Sequence, residues 1–212
     1  MSRSLIIIGL AGGSGSGKSS IARYLSNHYS AKKCAIIALD SYYYDLKHLS
    51  MKEREKNNFD HPNAIDFKLM DKDLNSLISG EEIHVPIYDY KTHTRTDTYK
   101  EINLQDIIII EGIFALFDKN IRSIMDIKIF VETNEKTRLD RRIKRDIKYR
   151  KRTYDSIISQ YNEAVKPMYD NYVEPTKEFS DFIIEKGVKN TVAMEQLIAK
   201  ITAMDKKRNN DY

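Results

Sequence analysis

Gly12-Gly13-Ser14-Gly15-Ser16-Gly17-Lys18-Ser19 follows the apolar run Leu5-Ile6-Ile7-Ile8-Gly9-Leu10-Ala11 and leads into a segment with helical spacing, Ser19 to Tyr29. The octet satisfies G-x-x-x-x-G-K-[ST] between a strand and a helix, the setting in which that pattern has a mechanism. Its glycines permit a tight turn whose N–H groups point inward, and the helix adds the positive end of its dipole. Lys18 adds a point charge beside the β and γ phosphates. These residues, together with Ser20, are expected to cradle a triphosphate, with Ser19 on Mg²⁺. The bland alternative is a flexible Gly-Ser turn, against which the flanking strand and helix argue.

Outward from the loop, short runs rich in Ile and Val recur at Cys34 to Leu39, Ile107 to Ile110 and Ile127 to Val131, with a fifth at Phe182 to Ile184. Leu5 to Ile8 is the first of the set. Helix candidates lie between them at Ser19 to Tyr29, Lys68 to Ser79, Asn134 to Lys148, Tyr154 to Met168 and Thr191 to Met204. This alternation predicts an α/β, doubly wound, mostly parallel sheet with helices on both faces. Asp40 to Lys100 breaks it with a long polar stretch rich in Tyr and His, and insertions of that length tend to be functional. Asp205 to Tyr212 reads as a frayed polar tail.

At 212 residues, 41% hydrophobic and 31% charged, the chain has the size of one compact domain. Its single cysteine, Cys34, reads as core, excludes a disulfide framework and points to a reducing, cytoplasmic setting. No apolar run approaches the roughly 20 residues that cross a bilayer, so no membrane partner is expected. Met1-Ser2-Arg3-Ser4 before Leu5 to Ala11 is faintly signal-like, but the run is short and no A-x-A-like site follows; a buried first strand is the preferred reading. The net charge of +4 hides a basic segment. Lys136 to Arg152 holds ten Lys and Arg residues against Asp140 and Asp146, which suggests a polyanion: nucleic acid or nucleotide phosphates.

Two carboxylates extend the phosphate site. Ile107-Ile108-Ile109-Ile110-Glu111-Gly112 is an apolar strand ending in an acid, where the metal and its waters are supported in this class of fold. Asp40 follows the strand Cys34 to Leu39 and is expected at the carboxyl edge of the sheet, close to the metal and the γ phosphate. There it can accept the proton of an attacking hydroxyl. A strand-end Glu and a helix-capping Asp are the plainer readings of the two residues. An N-K-x-D element for guanine selection is absent, and the chain is short for a helicase or transporter motor, which leaves a small-molecule kinase.

Phe59-Asp60-His61-Pro62, Tyr88-Asp89-Tyr90-Lys91-Thr92-His93-Thr94-Arg95, Asp40-Ser41-Tyr42-Tyr43, Glu111-Gly112-Ile113 and Arg138-Leu139-Asp140-Arg141-Arg142-Ile143-Lys144-Arg145-Asp146 stand in order around the loop. Together they resemble the uridine kinase (uridine-cytidine kinase) family of P-loop nucleoside kinases over about residues 5 to 200. The resemblance implies a P-loop NTPase fold forming a single kinase domain over 1–204, a nucleoside-binding insertion at about 40–100 and a lid at about 136–160. It implies transfer of the γ-phosphoryl of ATP, with GTP as an alternative donor, to the 5′-hydroxyl of uridine or cytidine in the presence of Mg²⁺. Asp40 is implied as the base, Lys18 and Arg145 as catalytic cations, and Ser19, Glu111 and Asp40 as the metal neighbourhood. Asp60, Arg142 and Gln160 are implied for the ribose, and Phe59, Tyr88, Tyr90, His93, Ile113 and Arg152 for the base pocket. A homotetramer and feedback inhibition by CTP or UTP are implied as well.

Chemistry agrees with these implications. A phenol and a neutral imidazole can each donate or accept, so Tyr88 and His93 can read the 4-position of both uracil and cytosine. Arg138, Arg141, Arg142 and Arg145 share one helical stripe, and Arg142, Arg145, Tyr149 and Arg152 make a second series. Over bound nucleotide such a lid would neutralise charge and exclude water; a solvated basic face is the plainer alternative. Arg150-Lys151-Arg152-Thr153 departs from the family's R-G-R-D, and Lys151 takes positive φ less freely than Gly. Two other readings remain: a P-loop kinase of a sugar phosphate or pantothenate-like alcohol, and a nucleotide-dependent module whose basic helix binds nucleic acid.

Overall fold

The computed structural model describes residues 5–103 and 105–210. The signal-like start, Met1 to Ser4, and the last two residues of the expected tail lie outside them. The strands are β1 (Ile6–Ala11), β2 (Cys34–Ala38), β3 (Ile83–Asp89), β4 (Thr94–Ile102), β5 (Ile107–Glu111), β6 (Ile127–Glu132) and β7 (Phe182–Glu185). Five of them form one sheet in the order β2-β5-β1-β6-β7, every neighbouring pair parallel. The helices are α1 (Lys18–Tyr29), α2 (Met51–Arg54), α3 (Phe67–Ile78), α4 (Lys119–Ser123), α5 (Glu135–Arg150), α6 (Tyr154–Gln160), α7 (Lys166–Met168) and α8 (Thr191–Asn210).

Alternation along the strands divides the core into two layers. Ile7, Ile37, Ile108, Ile110 and Phe130 pack on one face against Met70, Leu74 and Leu77 of α3 and Ile83, Val85 and Ile102 of the β3–β4 hairpin. Ile6, Ile8, Leu10, Ile107, Ile109, Ile127 and Ile129 pack on the other against Ile21 and Leu25 of α1 and Met194, Leu197 and Ile201 of α8. Burial on both faces explains why these strands read as unbroken Ile runs.

Three expectations are corrected. The stretch 40–100 holds the helix expected at Lys68 to Ser79, as α3, but also an antiparallel hairpin, β3 with β4, that its polar sequence did not announce. Pro86 hid the hairpin, because the register shifts between Pro86 and Tyr88, at a residue that lacks the N–H a ladder needs. That bulge turns Ile87 outward and buries Tyr88. The segment from Tyr154 is not one regular helix: α6 passes through a π-helical turn, Tyr161–Val165, then α7 and a second π turn, Tyr169–Val173. Finally, residues 205–210 are the end of α8 and not a frayed tail, because their charges pair back onto the body. Lys33 Nζ lies 2.6 Å from Asp205, and Arg208 donates to the carbonyl of Leu5 and to Asp126.

No helix among the described residues is long and apolar enough to cross a membrane.

Candidate active site

Strand register brings three distant segments to one edge. Glu111 pairs with Leu10 of β1 on one side and with Ala38 of β2 on the other, so the loop after β1, the turn after β2 and the end of β5 emerge side by side. This is the carboxyl edge, where open parallel sheets bind ligands. An open cleft of about 280 Å³ forms there, lined by Ser14, Gly15, Gly17, Lys18, Ser19, Ser20, Asp40, Glu111, Gly112, Ile113, Arg141 and Arg145.

The loop is shaped by backbone that side chains would disturb. Gly12 and Gly15 have φ of 135° and 81°, and a Cβ would run into the carbonyl of Val131 at the first and of Arg138 at the second. Lys18 begins α1, and its Nζ donates to the carbonyls of Gly12 and Gly13 at 2.7 and 3.0 Å. Burial pulls the Lys18 pKa below its ordinary value, opposed by the charges of Glu111 and Asp40. Burial raises that of Glu111, opposed chiefly by Lys18. Ser19 Oγ donates to Glu111 Oε1 at 2.9 Å. A hydroxyl and a carboxylate beside a phosphate loop are hard oxygen donors of the kind Mg²⁺ uses while keeping phosphate and water ligands. Ser19 and Glu111 are two such donors; among the described residues no group of three or more His, Cys, Asp or Glu could hold a metal ion.

Asp40 lies within a 3₁₀ turn, Leu39–Tyr42, directly after β2. Beyond it an aromatic enclosure opens. Phe59 and His93 stack at 4.7 Å with 12° between planes, Tyr43 meets Phe59 and Tyr88 at 5.3 and 5.1 Å, and Tyr88 meets Tyr90 edge-on at 5.6 Å. His93 reaches Phe59 from the hairpin turn, at φ 53°, and burial lowers its pKa and so favours the neutral ring. The buried Tyr88 hydroxyl has no hydrogen-bond partner among the described residues. The Tyr90 hydroxyl donates to Asp40 Oδ2 at 3.1 Å; burial, then the charge of Asp40, raises the Tyr90 pKa.

The three consecutive tyrosines, Tyr42, Tyr43 and Tyr44, take three different places. Tyr42 is core, its hydroxyl donating to Asp73 at 2.8 Å. Tyr44 is exposed. Tyr43 alone faces the enclosure, its hydroxyl donating to the Phe59 carbonyl at 3.0 Å.

The basic helix is not a solvated face. Arg138 is buried, donates to the Thr133 carbonyl at 3.0 Å and lies 3.7 Å over the Tyr169 ring. Arg141 donates to the loop carbonyls of Gly15 and Ser16 at 3.1 and 3.2 Å. Arg142 and Arg145 both reach Ser14 Oγ, at 3.2 and 3.4 Å. Arg142 also donates to Gln160 Oε1 at 3.0 Å and stands 3.7 Å from Asp60. Burial raises the Asp60 pKa, with Arg142 opposing. Arg152 meets the same Gln160 oxygen and Ser156.

The second series does not hold together, because Tyr149 points to solvent at 68% exposure. Ile113 lines the phosphate cleft with Lys18 and Asp40.

Sequence reasoning passed over Asp146. Fully buried, it takes Arg145 Nε at 2.7 Å and Arg150 at 3.5 Å on Oδ1, with Arg142 Nε 3.6 Å from Oδ2. Its sequence signal was an acid four residues after Arg142 and four before Arg150.

A model of the phosphoribulokinase/uridine kinase family matches residues 7–193. The uridine kinase of Streptococcus agalactiae serotype III is 47% identical over 204 residues, 96% of this chain and 98% of that protein. That of Streptococcus thermophilus is 48% identical over 205 residues, 96% and 97% of the two chains. Among solved structures, phosphoribulokinase from Rhodobacter spheroides shares the fold with a TM-score of 0.65 at 16% identity, over 87% of this chain and 71% of that one.

Proposed function

Because the chain belongs to the phosphoribulokinase/uridine kinase family, we propose that it is a uridine kinase, moving the γ-phosphoryl of ATP to the 5′-hydroxyl of uridine or cytidine. The observation that carries this reading is the place of Asp40. One carboxylate borders the phosphate cleft with Lys18 and Glu111 and accepts a hydrogen bond from Tyr90 of the aromatic enclosure.

In the proposed reaction the pyrimidine lies among Phe59, Tyr88, Tyr90 and His93, with Tyr43 behind them. Arg142 and Asp60, 3.7 Å apart, are too far for a direct hydrogen bond and suitably spaced for ribose hydroxyls to join them, and Gln160 extends that group through Arg142. The 5′-hydroxyl then meets Asp40, which takes its proton as the new O–P bond forms and ADP departs. Lys18 and Arg145 offset the charge that builds on the transferring group. Ser19 and Glu111, with Asp40 nearby, would hold Mg²⁺, which supplies Lewis-acid neutralisation of the phosphate oxygens when bound. Arg141 holds the loop through the carbonyls of Gly15 and Ser16, Arg138 anchors α5 to the Thr133 carbonyl and the Tyr169 ring, and α5 shields the bound phosphates from water.

The same reading makes 40–100 the nucleoside-binding insertion and 136–160 the lid of one kinase domain. A GTP alternative, a homotetramer, feedback by CTP or UTP and a cytoplasmic setting belong to it too, supported by the family likeness alone. The aromatic enclosure weighs against a sugar phosphate or pantothenate-like acceptor, whose recognition calls for no stacking. An acceptor panel with Mg-ATP tests the proposal: UMP and CMP should form from uridine and cytidine. Phosphorylation of a sugar phosphate or pantothenate-like alcohol, with both nucleosides unreacted, overturns it.

A further inference from the structure

Tyr90 stands where the lid helix, the aromatic enclosure and Asp40 meet. Its hydroxyl donates to Asp40 Oδ2 at 3.1 Å. The Arg150 guanidinium lies 5.0 Å from its ring centre, and Tyr88 packs edge-on against it at 5.6 Å. The ring is therefore held on two sides with its phenol aimed at one oxygen of the carboxylate.

Stacking on a pyrimidine calls for a ring at this position and not for a hydroxyl. Phe59 and His93 already form a stacked wall, and phenylalanine would extend it equally well. The phenol instead answers a need of Asp40. That residue sits in a turn of four residues, and the terminal torsion of a carboxylate is broad and roughly two-fold. A base must present one oxygen in line with the hydroxyl it deprotonates, and small angular errors at a reacting atom are costly.

We propose that Tyr90 is a positioning residue for phosphoryl transfer: its hydroxyl fixes the Asp40 carboxylate through Oδ2 and leaves Oδ1 to face the acceptor hydroxyl. Arg150 ties that setting to the lid, since the same guanidinium over Tyr90 lies 3.5 Å from Asp146, which also holds Arg142 and Arg145. Lid placement and base orientation thus meet at one phenol. The inference rests on the reading of Asp40 as the base.

Tyr90→Phe removes only the hydroxyl, and at 45% exposure the ring tolerates the change without loss of fold, which a melting curve checks. The single-turnover rate at saturating uridine and Mg-ATP should fall about tenfold, with KM for uridine and for ATP held within about twofold. Tyr90→Leu, which removes the ring too, should add a rise in uridine KM. An unchanged or faster single-turnover rate in Tyr90→Phe, or a loss confined to uridine KM, overturns the proposal. Asp40→Asn, run beside it, separates the two layers of argument. If that variant turns over like the parent, the base assignment itself fails. If it is inactive while Tyr90→Phe matches the parent, only the positioning role is lost.

Discussion

The backbone N–H of Lys151 donates to the carbonyl of Asp146, closing α5 with a non-glycine residue at φ 53° and ψ 33°. The N–H of Arg152 reaches the same carbonyl at 3.2 Å. Lysine thus occupies a left-handed cap where glycine carries no Cβ penalty. Arg150, just before the cap, reaches Tyr90, and Arg152, just beyond it, reaches Gln160. Lys151→Gly is expected to stabilise the protein by about 0.5–1 kcal/mol, after allowing for the freer unfolded chain. For a chain of this size that is a rise in Tm of about 1–4 °C. A lower Tm would mean that the lysine side chain contributes more than its backbone strain costs.

Asp146 leads to a prediction about pH. Burial by itself would raise its pKa, but the hydrogen bond from Arg145 and the charges of Arg145, Arg150 and Arg142 outweigh burial and lower it. A carboxylate with a depressed folded pKa adds stability that is complete above its unfolded value, about 3.9, and drains away as pH falls through the folded value. Asp146→Asn leaves three guanidiniums without their shared counter-charge and should cost about 3 kcal/mol or more near neutral pH. Urea unfolding should show the gap between parent and variant narrowing as pH drops below about 4. A gap that stays constant with pH would show that Asp146 contributes shape and not charge.

The parts of this molecule that were legible in its sequence are those whose cause is local. The loop Gly12 to Ser19 and the Ile run ending at Glu111 carry their chemistry in consecutive residues, and parallel register then brings Asp40 beside them. The β3–β4 hairpin was hidden because Pro86 interrupts its alternation and because Thr94–Ile102 is polar between two buried ends. Arg138 and Arg141 spend themselves on backbone carbonyls and on the Tyr169 ring, partners that leave no mark in a charge count. Asp146 looked like a minor offset to a basic run, and only the packing of α5 onto the loop reveals it as a buried hub. Tyr43 could not be told from its neighbours until the 3₁₀ turn set Tyr42 into the core and Tyr43 against Phe59.

Sugar selectivity follows from the spacing of Asp60 and Arg142. Both side chains are largely withdrawn from solvent, at 13% and 6% exposure, and stand 3.7 Å apart. An acceptor without its 2′-hydroxyl leaves one or both short of a partner, a loss of about 1–3 kcal/mol. The kcat/KM for 2′-deoxyuridine should therefore be about 10- to 100-fold below that for uridine. Asp60→Asn should shrink the ratio by weakening use of uridine more than of the deoxy compound. Equal kcat/KM for the two nucleosides in the parent enzyme would remove Asp60 and Arg142 from the sugar site.

Lys18 separates activity from stability. Its ammonium is buried at 7% exposure, held by the carbonyls of Gly12 and Gly13, and burial is the largest influence on its lowered pKa. Burial thus disfavours the charged form of this lysine until a partner of opposite charge arrives, as expected of a residue kept for a ligand's phosphates. Lys18→Met preserves much of the stem and removes the charge. Turnover with every acceptor should fall by about 100-fold or more, because a cation aimed at the transferring group is lost. Over the same substitution Tm should move by only a few degrees, because relief of the ammonium's desolvation is offset by the Gly12 and Gly13 carbonyls losing their donor and Glu111 losing its opposing charge. Thermal melts and turnover assays on one preparation decide the matter. A large fall in Tm together with retained phosphorylation would mean that Lys18 braces the loop and does not serve the phosphates.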